Sequence, residues 1–114
     1  MMRQKPQLKI LIGLFALLAL PITAVGKGDP VRGEQKAATC EACHGKTGIS
    51  IDPNYPNLAG QHFSYLVKAL SDYRSGARDN AIMASFATQL SNQDIEDLAA
   101  WFASQEGLQD LSIK

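Results

Sequence analysis

The amino-acid sequence predicts an all-α domain with three main helices. Apolar residues recur at helical spacing in the middle of the chain, and a helix-capping pattern precedes a second such run near its end. No stretch alternates apolar and polar residues for long enough to predict a strand. The chain has 114 residues, with 11 basic and 11 acidic side chains. This length suits one domain, and the balanced charge argues against a nucleic-acid-binding or disordered chain.

The start of the chain predicts a secretory signal peptide. Basic residues precede an apolar run over residues 10–20, and small residues follow. The run is shorter than the roughly 20 apolar residues that span a membrane. We therefore expect residues 1–24 to be removed by cleavage after Ala24, or after Gly26 as the alternative, which leaves residues 25–114 as one domain in the periplasm. A retained membrane anchor is the other interpretation.

The first helix of the mature domain is expected directly after the leader. Asp29 is a favourable N-cap and Pro30 suits the first helical position, so the helix should run to about Thr39. Residues 45–60 are rich in Gly, Pro and Asn and predict a loop. Loops of this length are uncommon in small domains, and wrapping a cofactor would explain it.

Two further helices follow the loop. Apolar residues three and four positions apart predict a helix from about residue 61 to residue 75, with Gly76 as its stop. Ser91 and Asp94 form a capping box for the last helix, which should end at Gly107. The acidic side chains of that helix are expected to form a solvated face, which could also steer a basic partner.

The two cysteines of the chain carry the most specific signal. Cys40 and Cys43 are two residues apart and His44 follows at once, which is the C-x-x-C-H pattern of covalent haem attachment. Two thiols on one helical turn can add across the two vinyl groups of one porphyrin, and the adjacent imidazole can bind the iron. A disulfide would leave the histidine without a role, and a thioredoxin-like pair needs a βαβ context. Zinc needs four ligands, and only His62 remains as a fourth.

A haem iron has a second axial face that can take a further ligand. Met83 is the only methionine after the leader, and it lies in a loop-like stretch that follows Gly76. We expect its sulfur to be the second ligand. His62 is the competing candidate, although it also suits the start of the middle helix.

With these residues in place, the chain resembles the class I c-type cytochromes, and in particular one half of the dihaem periplasmic cytochromes. The resemblance covers nearly all of the mature chain and rests on Cys40-Glu41-Ala42-Cys43-His44-Gly45, Pro56-Asn57-Leu58-Ala59-Gly60-Gln61, Tyr65-Leu66, Gly76-Ala77-Arg78, Met83 and the run from Leu90-Ser91 to Trp101-Phe102. It implies the cytochrome c fold around one covalently attached haem c, with iron held by His44 and Met83.

The resemblance also implies roles for three residues outside the haem motif. The backbone carbonyl of Pro56 should accept a hydrogen bond from the second ring nitrogen of His44. Gly33 should allow the first and last helices to approach closely, against Trp101 or Phe102. Arg78 is expected either near a haem propionate or as a solvated arginine in a turn.

The function expected from these features is soluble one-electron transfer between redox partner proteins in the periplasm. The sequence contains no catalytic triad and no phosphate-binding loop, so it does not favour an enzyme. We also expect no nucleic-acid partner and no small-molecule substrate. The alternatives are a cytochrome subunit of a larger periplasmic oxidoreductase and, third, a haem sensor or gas binder, which would need an open coordination position. The domain is not expected to span a membrane after cleavage.

Overall fold

A computed structural model of the protein describes residues 28–107 and, before them, only positions 2, 7, 10 and 13. Apart from those four positions, the expected signal peptide lies outside the described residues. The described part forms helices only, in the order α1 (Pro30–Lys36), α2 (Ala38–His44), α3 (Phe63–Ser75), α4 (Ala81–Ala87) and α5 (Asn92–Ala103). The all-α prediction is thereby confirmed. None of the helices in this part is long and apolar enough to cross a membrane.

The first expected helix is present as two shorter ones. The Asp29 side chain caps α1 by accepting from two backbone N–H groups of its first turn. The prediction that this helix ends near Thr39 was wrong. The chain makes one tighter turn at Ala37, whose carbonyl then accepts hydrogen bonds at 2.8 and 3.0 Å from the N–H groups of Cys40 and Glu41. Helical geometry therefore resumes at once, and it lasts until Gly45 leaves it at φ 82°.

The middle and last helices each confirm a signal that the sequence contains. Helix α3 ends at Gly76, which adopts the left-handed conformation at φ 85°. The capping box of α5 is complete, with Asp94 N–H donating to Ser91 Oγ at 3.0 Å and Ser91 N–H donating to Asp94 Oδ2 at 2.9 Å. Both predictions are confirmed.

Helix α5 ends earlier than the sequence suggested. It stops at Ala103 instead of continuing to Gly107. The reason is the long loop, since Gly60 N–H donates to the carbonyl of Phe102 at 2.9 Å and so occupies the end of the helix. Gly107 then lies against the same loop, where an added Cβ would be 2.5 Å from the Cβ of Ala59.

The core lies where α1 crosses α5 and where α3 packs on α5. The buried cluster consists of Ala37, Leu66, Leu98, Ala99 and Phe102. Gly33 is buried at the crossing, where an added Cβ would lie 2.0 Å from the carbonyl oxygen of Asp97 and 2.7 Å from the Cβ of Trp101. The backbones of the two helices can approach this closely only because Gly33 has no side chain.

A group of polar side chains, the α1–α5 polar cluster, ties the same two helices together. The Asp97 carboxylate is 0% exposed. It accepts from Arg32 Nε and Nη2 at 3.0 Å each, from Lys36 Nζ at 2.7 Å, from Asp29 N–H at 2.8 Å and from Gln93 Nε2 at 2.9 Å. The expectation of a solvated acidic face is therefore wrong at Asp97. Its hydrogen bonds, first those from Arg32, hold the pKa of Asp97 well below its usual range despite burial.

Asp94 extends this cluster to the capping box. Its Oδ1 lies 2.8 Å from Lys36 Nζ. The hydrogen bond from Lys36 and those from Ser91 lower the pKa of Asp94 to about 2. The start of α5 is thus attached to the end of α1 through one lysine that serves two carboxylates.

Candidate functional site

The long loop and helices α2 to α5 surround a largely apolar cavity of about 290 Å³. All six residues that the sequence singled out line it, namely Cys40, Cys43, His44, Pro56, Arg78 and Met83. The competing ligand His62 is not among the described residues that line the cavity. It stands instead at the N-cap position of α3. The fold therefore gathers residues from separate parts of the sequence around one space.

Helix α2 presents both thiols on the cavity wall. Cys40 and Cys43 are free and partly buried, so the structure holds no disulfide between them. Burial raises the pKa of the Cys40 thiol, which keeps that sulfur protonated at neutral pH. Within residues 28–107 no group of three or more His, Cys, Asp or Glu side chains is arranged to hold a metal ion. The disulfide and zinc interpretations thus have no support in the geometry.

His44 is held in one orientation by the loop. The side chain is 7% exposed, and its Nδ1 lies 2.8 Å from the backbone oxygen of Pro56. A carbonyl oxygen only accepts hydrogen bonds, so Nδ1 carries the proton and donates it. The other nitrogen, Nε2, then has a free lone pair in the neutral ring and is the atom that can bind a metal. The ring of Tyr55 packs edge-on at a centroid distance of 6.4 Å.

The expected loop is present, and two of its glycines bring Pro56 back to His44. Gly48 has φ 88°, and its carbonyl accepts hydrogen bonds from the N–H groups of Leu58 at 2.7 Å and Ala59 at 3.1 Å. At Gly45 an added Cβ would lie 2.0 Å from a backbone oxygen of the loop. The loop therefore closes on itself, which places the Pro56 carbonyl beside the imidazole.

Met83 lies in the first turn of α4, so the expectation of a loop-like stretch there was wrong. The helix begins because the Asn80 side chain accepts a hydrogen bond from Met83 N–H at 2.9 Å. An asparagine three positions before Met83 is a capping signal that the sequence does contain. Ile82 and Phe86 of the same helix also line the cavity and are 58% and 41% exposed.

Arg78 lies at the cavity and is held by tyrosines of α3. Its Nη1 donates to the hydroxyl of Tyr65 at 3.3 Å, and its guanidinium carbon lies 4.8 Å from the centre of the Tyr73 ring. Its backbone N–H donates to the carbonyl of Asp72 at 3.1 Å. Arg78 is thus an exposed cation with a fixed position. Its contact with the ring of Tyr73 was not predicted from the sequence.

The donor set and the walls of this cavity fit a haem. Two thiols on one helical turn, an imidazole with an available nitrogen and a thioether share the cavity, and its other walls are mostly apolar. A flat apolar ring with a metal ion requires this combination of attachment, ligation and apolar surface. The described residues also bury few large side chains, the three largest fully buried ones being Ile95, Leu98 and Asp97. A bound ring would supply apolar contacts that the chain alone does not make.

Known proteins are similar to this chain in sequence and in fold. A family profile described as cytochrome c matches residues 31–106. Cytochrome c4 of Pseudomonas aeruginosa is 46% identical over 98 residues, which cover 86% of this chain and 49% of that protein. Cytochrome c-554(548) of Halomonas halodenitrificans is 46% identical over 82 residues, which cover 69% of this chain and 99% of that protein.

A solved structure agrees with these matches. The crystal structure of reduced recombinant cytochrome c4 from Pseudomonas stutzeri superposes with a TM-score of 0.68 at 43% identity, over 71% of this chain and 47% of that one. The chain spans about half the length of the cytochrome c4 proteins that it matches. The haem motif lies on α2 at the wall of the cavity, and the family profile covers the residues that surround it. The chain therefore belongs to the cytochrome c family, and its cofactor is haem c.

Proposed function

We propose that this protein is a one-electron carrier between redox partner proteins. The supporting observation is that an imidazole and a thioether line the same cavity as the two cysteines. In this proposal Cys40 and Cys43 would hold the haem covalently, and His44 Nε2 and the Met83 sulfur would bind its iron. A haem iron in that environment passes single electrons by alternating between the ferric and ferrous states.

The surrounding residues support this role in three ways. The hydrogen bond to Pro56 fixes the ring of His44 and makes Nε2 a stronger donor. Apolar walls would limit the access of water to a bound iron, and the soft sulfur of Met83 would favour the ferrous state, so both would raise the reduction potential. Arg78, held by Tyr65 and Tyr73, offers a cation for a propionate.

An enzymatic role receives no support from this arrangement. If His44 and Met83 both bind the iron, they would leave no coordination position for a substrate or a gas. Among the relatives, a protein of Stutzerimonas stutzeri named thiosulfate dehydrogenase electron acceptor is 30% identical over 105 residues, which cover 49% of its length. A carrier that takes electrons from an enzyme is consistent with that relationship.

Replacement of Met83 tests the proposed ligation. Met83→Ala should open one coordination position, so the ferrous protein should bind carbon monoxide where the unmodified protein does not. Met83→His should substitute a nitrogen donor and lower the reduction potential while the haem stays attached. His62→Ala is the matched control and should leave the spectrum and the potential unchanged, since His62 does not line the cavity. A wild-type spectrum in Met83→Ala together with an altered one in His62→Ala would show two histidine ligands instead.

The proposal includes export to the periplasm. It is supported by the basic, apolar and small-residue order of the first 26 residues. The purified native protein should then begin at Val25 or Lys27, and amino-terminal sequencing reads this directly. A start at Met1 would contradict cleavage and favour a tethered carrier.

A further inference from the structure

We propose that Asn80 is a positioning residue for Met83, and that its side chain sets how readily the sulfur leaves the iron. The inference rests on the proposed role of Met83 as an axial ligand. Asn80 lies outside the haem motif, two positions beyond Arg78, and lines the same cavity as Met83. Its effect would pass through the backbone of α4.

The contact itself is direct. Asn80 is the N-cap of α4 with an extended backbone, and its Oδ1 accepts from Met83 N–H at 2.9 Å. Its backbone carbonyl accepts from Ala84 N–H at 2.9 Å, so side chain and main chain together close the first turn. The hydrogen bond is made to the residue whose side chain must remain at the cavity. Loss of the cap therefore loosens that same residue first.

Helix α4 has little else to hold it. It has seven residues, and helices of that length do not persist in water without tertiary support. Among the described helices it packs on α3 alone. Of its residues only Ala87 is buried against protein, at the far end from Met83. The first turn of α4 consequently depends on its cap more than a well-buried helix would.

Helix α5 offers the matched case. Its cap, Ser91, makes the same kind of hydrogen bond to Asp94 N–H at 3.0 Å. However, α5 carries five buried residues and none of the proposed iron ligands. Removal of the Ser91 cap should lower the stability of the whole domain without a specific effect on the iron.

The experiment measures displacement of the methionine by imidazole in the ferric holoprotein. Imidazole is titrated while the absorption band of the sulfur–iron bond is followed. Loss of an N-cap favours the frayed turn about five-fold, so Asn80→Ala should bind imidazole about five-fold more tightly. Asn80→Ser keeps a capping oxygen and should return the affinity to within two-fold of the unmodified protein. Ser91→Ala should also stay within two-fold while its denaturation midpoint falls.

The outcomes separate this inference from the proposed function. Unchanged imidazole affinity in Asn80→Ala would overturn the positioning role, as would an equal gain in Ser91→Ala. Met83→Ala provides the reference for complete loss of the sulfur. If that variant binds imidazole no better than the unmodified protein, Met83 is not a ligand, and both the proposed ligation and this inference fail. If only Asn80→Ala lacks an effect, the ligation stands and the positioning role alone is wrong.

Discussion

The two sides of the domain are built in different ways. Where α1 crosses α5, a glycine brings the backbones together and the buried Asp97 carboxylate gathers donors from both helices. Where α4 meets α3, the side chains next to the cavity remain open to solvent in the protein alone, with Tyr65, Ile82 and Phe86 at 48%, 58% and 41% exposure. The first side packs fully within the polypeptide, whereas the second has apolar surface at the cavity that a bound haem would cover.

This difference separates the residues that stabilise the fold from the residues that are proposed to bind the haem. The α1–α5 crossing contains none of the proposed ligands. The α3–α4 side carries Met83 and Arg78 and has few buried contacts of its own. Variants at the crossing should therefore lower the free energy of unfolding, while variants at Met83 and Arg78 should alter the haem before they alter the fold.

The largest effect is expected from removing the covalent attachment. A double Cys40→Ala and Cys43→Ala variant should lose its haem in denaturing electrophoresis, and the domain should fold poorly because the ring covers the apolar cavity walls. Haem staining of the gel together with circular dichroism measures both. The single Cys43→Ala variant is the control and should keep the haem through one thioether. Haem that stays with the double variant under denaturing conditions would contradict covalent attachment through these thiols.

A methyl group at the helix crossing should have the next largest effect. Gly33→Ala improves helix propensity by about 1 kcal/mol, but its Cβ would meet a backbone carbonyl at 2.0 Å and force the helices apart. We expect a net loss of about 2 kcal/mol in the free energy of unfolding, measured by denaturant titration. Gly76→Ala is the matched control, since its Cβ meets nothing within 4 Å. It should cost only about 1 kcal/mol for the left-handed backbone.

The α1–α5 polar cluster should contribute a comparable amount to the free energy of unfolding, and this amount depends on pH. Asp97→Asn removes the buried charge from its donors and should lower the free energy of unfolding at pH 7 by about 2 kcal/mol. This is below the usual cost of breaking a buried pair, since the Arg32 side chain is 49% exposed and can be hydrated. The haem spectrum of the folded variant should be unchanged. A spectral change without a stability loss would show that the two sides are not separate.

The dependence of the free energy of unfolding on pH in the acid range gives the sign of the contribution from Asp94 and Asp97. Asp94 and Asp97 have folded-state pKa values below the ordinary 3.8, at about 2 for Asp94. Their stabilisation is therefore complete above about pH 4 and is lost as the pH falls through the folded values. Denaturation midpoints should decrease steadily between pH 4 and pH 2. Asp97→Asn should show a shallower decrease, and a slope equal to that of the unmodified protein would argue against a role for this carboxylate.

The sequence predicted the parts of the molecule that depend on local signals. Helices α3 and α5 were predicted from apolar spacing and capping residues, and the C-x-x-C-H motif alone predicted a covalently attached haem. The helix around Met83 was missed because α4 is short and its start depends on one asparagine side chain. The burial of Asp97 was missed for another reason, since its two charged donors, Arg32 and Lys36, lie more than 60 residues away in the sequence. Pairings at that distance leave no local pattern.

The closed loop beside His44 has a consequence for the order of folding. His44 and Pro56 are 12 residues apart, whereas Arg32 and Asp97 are 65 apart. Closing the shorter segment costs less chain entropy by roughly 1.5 kcal/mol. Nearby contacts of this kind generally form faster than distant ones. We therefore expect the imidazole to be oriented early, while the two ends of the domain are still apart, so that the nitrogen proposed to bind iron is in place before the core around it has closed.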